Sequence, residues 1–224
     1  MSRLTTWISK QNPTAAKGMT ALKDIDALHI STNPRLGTLV PRIGSRQTKT
    51  EDRTIPRICC SETVVGCIYG HSTVRDVSVE KEVFTGTEWQ DLQCPVFYIY
   101  RLNVEELVRP SKKLVMDAVR TRELWVVPYA PEACAVKPER VGQLLLRKAV
   151  DVHDQGRHYQ LNTFVMKVVK PIKLEDELLH PGHYQFDLHG SLSVVGGGTT
   201  SPVEKLKVIS GAEFQTIVDN HAKT

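Results

Sequence analysis

Apolar positions along this chain fall mostly in short runs and alternations, with few stretches at the three-to-four-residue spacing of a long helix. Residues 24–31 predict a first strand, and Thr32, Asn33 and Pro34 the turn that ends it. Residues 57–60 form a short apolar strand. Ser61 then stands where a helix N-cap stands, with Val64, Val65 and Ile68 following at helical spacing. Residues 74–83 alternate as a strand or hairpin arm, and residues 95–102, by their β-branched and aromatic content, predict a buried strand. Residues 104–107 predict a helical turn closed by Pro110, and residues 114–120 a loop or short strand. A strand over 123–127 is stopped by Pro128, and residues 141–150 read as the last strand of a sheet. Further strand-like stretches fall at 163–170, 184–188 and 191–195, then a glycine-rich turn at 196–202 and a final helix over 211–222.

This order predicts an α+β fold with a predominantly antiparallel, split sheet. Residues 1–23, polar and carrying Pro13 and Gly18, predict an N-terminal arm with a short helix. Residues 24–150 form the core domain, and residues 151–224 a smaller β-rich C-terminal appendage beyond a polar boundary at 151–160. Residues 35–54 are basic and without period, which predicts a long functional loop or lid.

Composition narrows the class. Hydrophobic residues at 41% and charged residues at 24% exclude wholesale disorder, and aromatics at 6% argue against a broad stacking platform for single strands. The net charge is +4, but residues 1–60 alone carry ten Lys/Arg against four acids (Asp24, Asp26, Glu51, Asp52), an excess of six. Such a segment either faces phosphates or is a solvated surface. Five cysteines without a Cys-x2-Cys spacing read as reduced thiols in a cytosolic protein. No apolar run reaches the ~18 residues of a membrane span, and the first residues carry no signal-like apolar stretch. The expectation is a soluble, cytoplasmic protein with no membrane partner.

Three segments can carry chemistry. His29 and Ser31 close the first strand, where an imidazole beside a hydroxyl can hold a ribose or an amide. Residues 57–61 feed a strand into a capped helix start, whose free N–H groups suit an anion. Glu123 opens an apolar strand at the rim of the core, where a carboxylate can orient a hydroxyl or stabilise developing positive charge.

In this order the segments resemble the ADP-ribosyltransferase fold, in its His/Glu branch related to diphtheria toxin and the poly-ADP-ribose polymerases. The residues concerned are Leu28-His29-Ile30-Ser31-Thr32, Ile58-Cys59-Cys60-Ser61 and Thr121-Arg122-Glu123-Leu124-Trp125. The stretch from His29 to Cys67 also looks like poorly characterised bacterial and phage members of that group. The resemblance covers roughly residues 24–150. It implies NAD as the substrate and a protein or nucleic acid as the acceptor. By this analogy Glu123 and His29 are catalytic: Glu123 polarises the nicotinamide ribose, and His29 holds the adenosine-side ribose and the nicotinamide amide. Ser31, Ser61, Arg42, Arg57 and Tyr69 complete the cofactor-binding set, with Arg35 and Arg46 as further phosphate contacts. Tyr69, eight residues after Ser61, stands further along than the family's stacking tyrosine, which lies a few residues into that helix.

Two other classes use the same residues. His29-Ile-Ser31 and His71-Ser-Thr73 match the His-x-Ser/Thr triplets of two-histidine phosphoesterases, where the histidines act as general base and acid. A non-catalytic interaction or structural protein, viral or phage in character, could keep the same scaffold. His180, His183 and His189 lack an accompanying cysteine pair, so no metal is assigned. Residues 196–200 lack the Lys-Ser/Thr of a phosphate loop.

Overall fold

The structure, a computed structural model, describes residues 3–43, 52–71, 96–154, 157–189 and 203–221. The strand or hairpin arm expected at 74–83, the strand at 191–195, the turn at 196–202 and Arg46 lie outside those residues. The fold is α+β, mostly antiparallel sheet with a few helices. The chain divides into two compact units: residues 1–70 with 100–140, and residues 71–99 with 141–224. Each is described by itself.

In chain order the first unit holds α1 (Arg3–Gln11), α2 (Pro13–Ala16), β1 (Met19–Lys23), β2 (Leu28–Ser31), β3 (Ile58–Ser61) and α3 (Val64–Gly70). The end of β4 (Phe97–Leu102), then β5 (Glu106–Pro110), β6 (Glu123–Val126) and α4 (Pro131–Cys134) follow. Strands run side by side in the order β1-β5-β6-β3-β2. Residues 1–23 are not a separate arm. Leu4 and Ile8 lie one helical turn apart on α1 and are buried, and β1 pairs with β5 from Met19↔Pro110 to Lys23↔Glu106. Asn12 caps α2: its Oδ1 accepts from the N–H groups of Thr14 and Ala15 at 3.1 and 2.9 Å, and Pro13 follows where its missing N–H costs nothing. The buried carboxylate of Glu106 accepts from Leu4 N–H at the open end of α1 (3.4 Å) and pairs with Lys23 Nζ (3.0 Å). A polar average hid this docking, because among the described residues it takes only three buried apolar side chains, Leu4, Ile8 and Ala15, and one buried carboxylate.

The helical turn expected at 104–107 is replaced by β5. Its neighbours Leu107 and Val108 are both buried, on opposite faces of the sheet. The strand exists because β1 pairs with it, a partner more than eighty positions away in sequence. Both faces of the sheet are covered. Trp125 and Val108 join Leu4, Ile8, Ile55, Val115 and Val127 on one side. Leu124, Val126, Ile58 and Cys60 join Leu102, Leu107 and Val136 on the other. Double coverage explains why residues 124–127 are apolar without alternation.

The second unit holds β7 (Pro138–Asp154, from Val141 on), β8 (Arg157–Val168), β9 (Ile172–Lys173), β10 (Leu178–Leu179), β11 (Gly182–His189), β12 (Val203–Val208) and α5 (Gly211–His221). Its strands lie in the order β7-β8-β11-β12. The polar stretch at 151–160 does not separate domains: it continues β7 and begins β8, whose pairing runs on to Asp154↔Arg157. Leu145 and Val165 face Phe214 of α5, while Phe164 and Phe186 stack at 5.5 Å.

Candidate functional site

The three sequence segments lie on three neighbouring strands. Leu28 of β2 is opposite Ser61 of β3, and Ser61 is opposite Glu123 of β6. Partners across an antiparallel pair point to the same face, and alternate residues share it. Arg57, Cys59 and Ser61 therefore stand on one face with Glu123 and Trp125, while Cys60 and Leu124 fill the opposite core.

Glu123 is held from its own strand. The indole Nε1–H of Trp125 donates to Glu123 Oε1 at 2.6 Å, and the Arg57 guanidinium lies over the Trp125 ring, 4.1 Å from its centroid. Burial raises the carboxyl's pKa above the ordinary value, with the Trp125 hydrogen bond pulling the other way. The Cys59 thiol is hydrogen-bonded to this carboxylate, and burial together with the Glu123 charge pushes it up to about 12. It is therefore a protonated thiol, not a nucleophile.

Cys59 keeps an exposed surface, and His29 and Glu123 are half-buried, yet enclosure by protein dominates the proton equilibrium of all three. His29 follows Leu28 and so stands on the other face of the sheet from Ser61 and Glu123, fixed by Nδ1–H donating to the Cys59 carbonyl at 3.0 Å. A carbonyl only accepts, so Nδ1 carries the proton, and in the neutral ring Nε2 is an acceptor. Burial lowers the His29 pKa and favours that neutral form.

Ser61 is buried and serves the frame of the site. Its Oγ donates to the Thr121 carbonyl at 2.7 Å and accepts from Thr63 N–H at 3.2 Å. This ties the β3–α3 turn to the turn that delivers Glu123, where Arg122 takes a left-handed φ of 45°. Gly66 lets α3 come this close: an added Cβ would lie 2.9 Å from the Thr121 carbonyl carbon, and nearer still to its oxygen and to Ser61 Oγ.

The remaining expected residues are spread more widely. Arg57 is buried and committed: its Nη1 donates to the carbonyls of Asp52 (2.8 Å) and Ile55 (3.2 Å) beneath Trp125, which takes it out of the set available to a phosphate. Arg42 and Arg35 are exposed, and Arg42 is bridged to Arg57 through backbone hydrogen bonds. Ser31 Oγ accepts from Asn33 N–H in the turn after β2 (3.1 Å), and Tyr100 OH donates to the Asn33 carbonyl (2.7 Å). With the Leu39↔Val136 bridge, these contacts tether the described beginning of the expected lid. Tyr69 is half-buried near the end of α3.

The sequence reading missed Trp125 as a partner of Glu123 and Cys59 as a member of the site. The parity of positions 57, 59 and 61 against 123 and 125 is the signal that could have found them.

Of the second histidine pair, His29 belongs to the first unit and His71, edge-on to Phe97 at 5.2 Å, to the second. Ser72 and Thr73 lie outside the described residues. His183 packs on Phe214 and His189 Nε2 meets Glu204 Oε1 at 2.8 Å. Among the described residues no group of three or more His, Cys, Asp or Glu could hold a metal ion, and no helix is long and apolar enough to cross a membrane. Comparison of the chain with family models, with curated proteins and with solved structures gave no match.

Proposed function

We propose that this chain is an NAD-dependent ADP-ribosyltransferase of the His/Glu kind, with a protein or nucleic acid as acceptor. One observation carries the reading: the three segments that resemble that family lie on three adjacent antiparallel strands, with Leu28, Ser61 and Glu123 in a single cross-strand row. The acceptors suit the hydroxyls of a dinucleotide's two riboses. A carboxylate with one oxygen held by Trp125 and a neutral imidazole with Nε2 open to accept are both partners for hydroxyl groups.

NAD supplies a glycosidic bond to nicotinamide whose rupture builds positive charge on the ribose. Glu123 accepts a hydrogen bond from a ribose hydroxyl and stabilises that charge with a carboxylate already fixed by Trp125, so little reorganisation is needed. His29 orients a second hydroxyl and, being neutral, adds no competing positive charge. Arg35 and Arg42, exposed beside the site's first strand and loop, are the cations for the pyrophosphate, in place of the committed Arg57.

The test is nicotinamide release from NAD by the wild-type chain and by Glu123→Gln, His29→Ala and His71→Ala. The proposal expects release in the wild type, a loss of at least about 100-fold in Glu123→Gln from removing the stabilising charge, and no change in His71→Ala. Unchanged release in Glu123→Gln overturns the assignment of Glu123. Equal disabling by the two histidine substitutions, measured on a cyclic phosphodiester, favours the phosphoesterase class. NAD binding without release in the wild type favours the non-catalytic scaffold.

A further inference from the structure

We propose that Trp125 is a positioning residue for Glu123, with Arg57 locking the indole in place. The inference rests on the functional reading above only for its consequence in turnover. Its geometric part stands alone. Glu123 and Trp125 are two residues apart on β6 and share a face of the sheet. The indole N–H reaches Oε1 at 2.6 Å, a short bond of the charge-assisted kind. Trp125 itself is fully buried among Leu4, Ile8, Ile55, Val108 and Val115, so the donor cannot swing away.

Arg57 closes the other side of the ring. Its guanidinium lies 4.1 Å from the ring centroid and is anchored by the Asp52 and Ile55 carbonyls, with Asp52 Oδ1 at 3.9 Å. Asp52 is in turn fixed by accepting from Thr54 N–H (3.0 Å) and Ile55 N–H (2.9 Å). The result is a chain of contacts from the 52–55 loop to one carboxylate oxygen. It fixes Glu123 Oε1 and with it the plane of the carboxylate. The groups facing Glu123 are Trp125, Cys59, Arg57 and Asp117. Trp125, Cys59 and Arg57 favour its ionised form, while Asp117 and burial oppose it.

The experiment follows the indole N–H resonances of the three tryptophans across pH, in the wild-type chain and in Glu123→Gln. Trp7→Phe and Trp89→Phe assign the Trp125 signal by elimination. The expected result is one indole proton that titrates with a single midpoint above the ordinary carboxyl value of 4.5, and that becomes pH-independent in Glu123→Gln. In Trp125→Phe the Glu123 carboxyl carbon should titrate about one to two units higher, the loss expected for a hydrogen bond to a charged group. The acidic limb of nicotinamide release should move up by the same amount. A Trp125 resonance that does not titrate, or that titrates unchanged in Glu123→Gln, overturns the proposal, as does a folded Trp125→Phe with an unmoved Glu123 midpoint. Should Trp125→Phe fail to fold, the wild-type and Glu123→Gln pair decides alone. Absence of nicotinamide release in the wild type sinks the functional reading and leaves the titration to judge the positioning.

Discussion

Gly66→Ala separates two opposed effects at the point where α3 meets the site. In an exposed helix the substitution stabilises by about 1 kcal/mol, because alanine loses less backbone freedom. At Gly66 the new Cβ would stand 2.9 Å from the Thr121 carbonyl carbon, against the 3.4 Å at which ordinary contact begins. Helix and turn must therefore part by at least 0.5 Å (3.4 minus 2.9), and further to clear the Thr121 oxygen and Ser61 Oγ. The Thr121 obstacle is backbone and cannot rotate aside. Overpacking of this kind costs about 1–3 kcal/mol. Breaking the Ser61–Thr121 hydrogen bond inside the core adds about 1–3 kcal/mol. The clash wins, with a net loss of about 1–5 kcal/mol against the helix gain. Urea unfolding followed by tryptophan fluorescence measures it. Gly37→Ala is the control, since a Cβ there meets nothing within 4 Å, and its change should stay within about 0.5 kcal/mol. Ser61→Ala with Gly66→Ala removes one obstacle and leaves the Thr121 carbonyl, so it should recover only part of the loss. Equal stability of Gly66→Ala and Gly37→Ala would refute the packing of α3 on the turn before Glu123.

Two further expectations come from the titrating groups of the site. Burial raises the Glu123 pKa, so the folded chain binds its proton more tightly than the unfolded chain does. That contribution to stability is fully present below about 4.5 and is lost as pH rises through the folded value. Glu123→Gln should therefore unfold at a higher temperature than wild type at pH 7, with the gain disappearing below pH 4.5; calorimetry that finds it less stable at pH 7 contradicts the burial argument. His29 has the opposite sign. Its folded pKa lies below 6.5, so its contribution is present above that value and is lost as pH falls through the folded one. His29→Asn keeps an N–H for the Cys59 carbonyl without the titration, and thermal melts between pH 7 and 5 should be flatter than wild type; an identical slope would show that His29 is not the group responsible.

Much of the local structure was legible because it depends on near neighbours. The strands at 57–60, 95–102 and 123–127 and the helix after Ser61 appear within a residue or two of where their side chains predict them. Glu123 at the head of its strand and Ser61 at the end of its strand were visible for the same reason, whereas the strand expected over 24–31 spans only Leu28–Ser31 and so has His29 near its start. The misses were long-range. No local pattern shows that residues 106–110 pair with residues 19–23, so a strand read as a helical turn, and the N-terminal segment read as an arm. The polar stretch at 151–160 read as a boundary because composition alone does not show that residues 151–154 pair with residues 157–160.

The sequence by itself determined which residue types the chain could bring to a site: a histidine on a strand, a serine at the mouth of a helix, a glutamate before an apolar strand. Tertiary structure decided their working states. Register put Leu28, Ser61 and Glu123 in one row, and parity set Cys59, Trp125 and Arg57 on the face of Glu123. Arg57 looked like a phosphate ligand in the sequence, where only its charge is visible. In the fold its guanidinium is buried against Trp125 and two carbonyls, because burying a cation requires partners and those partners then hold it. Likewise Ser61 turned from a ligand contact into a strut, and Trp125, buried in the core, is the donor that holds Glu123. Charge and hydrogen-bonding capacity belong to the residue; which partner satisfies them depends on strands that meet only when the chain is folded.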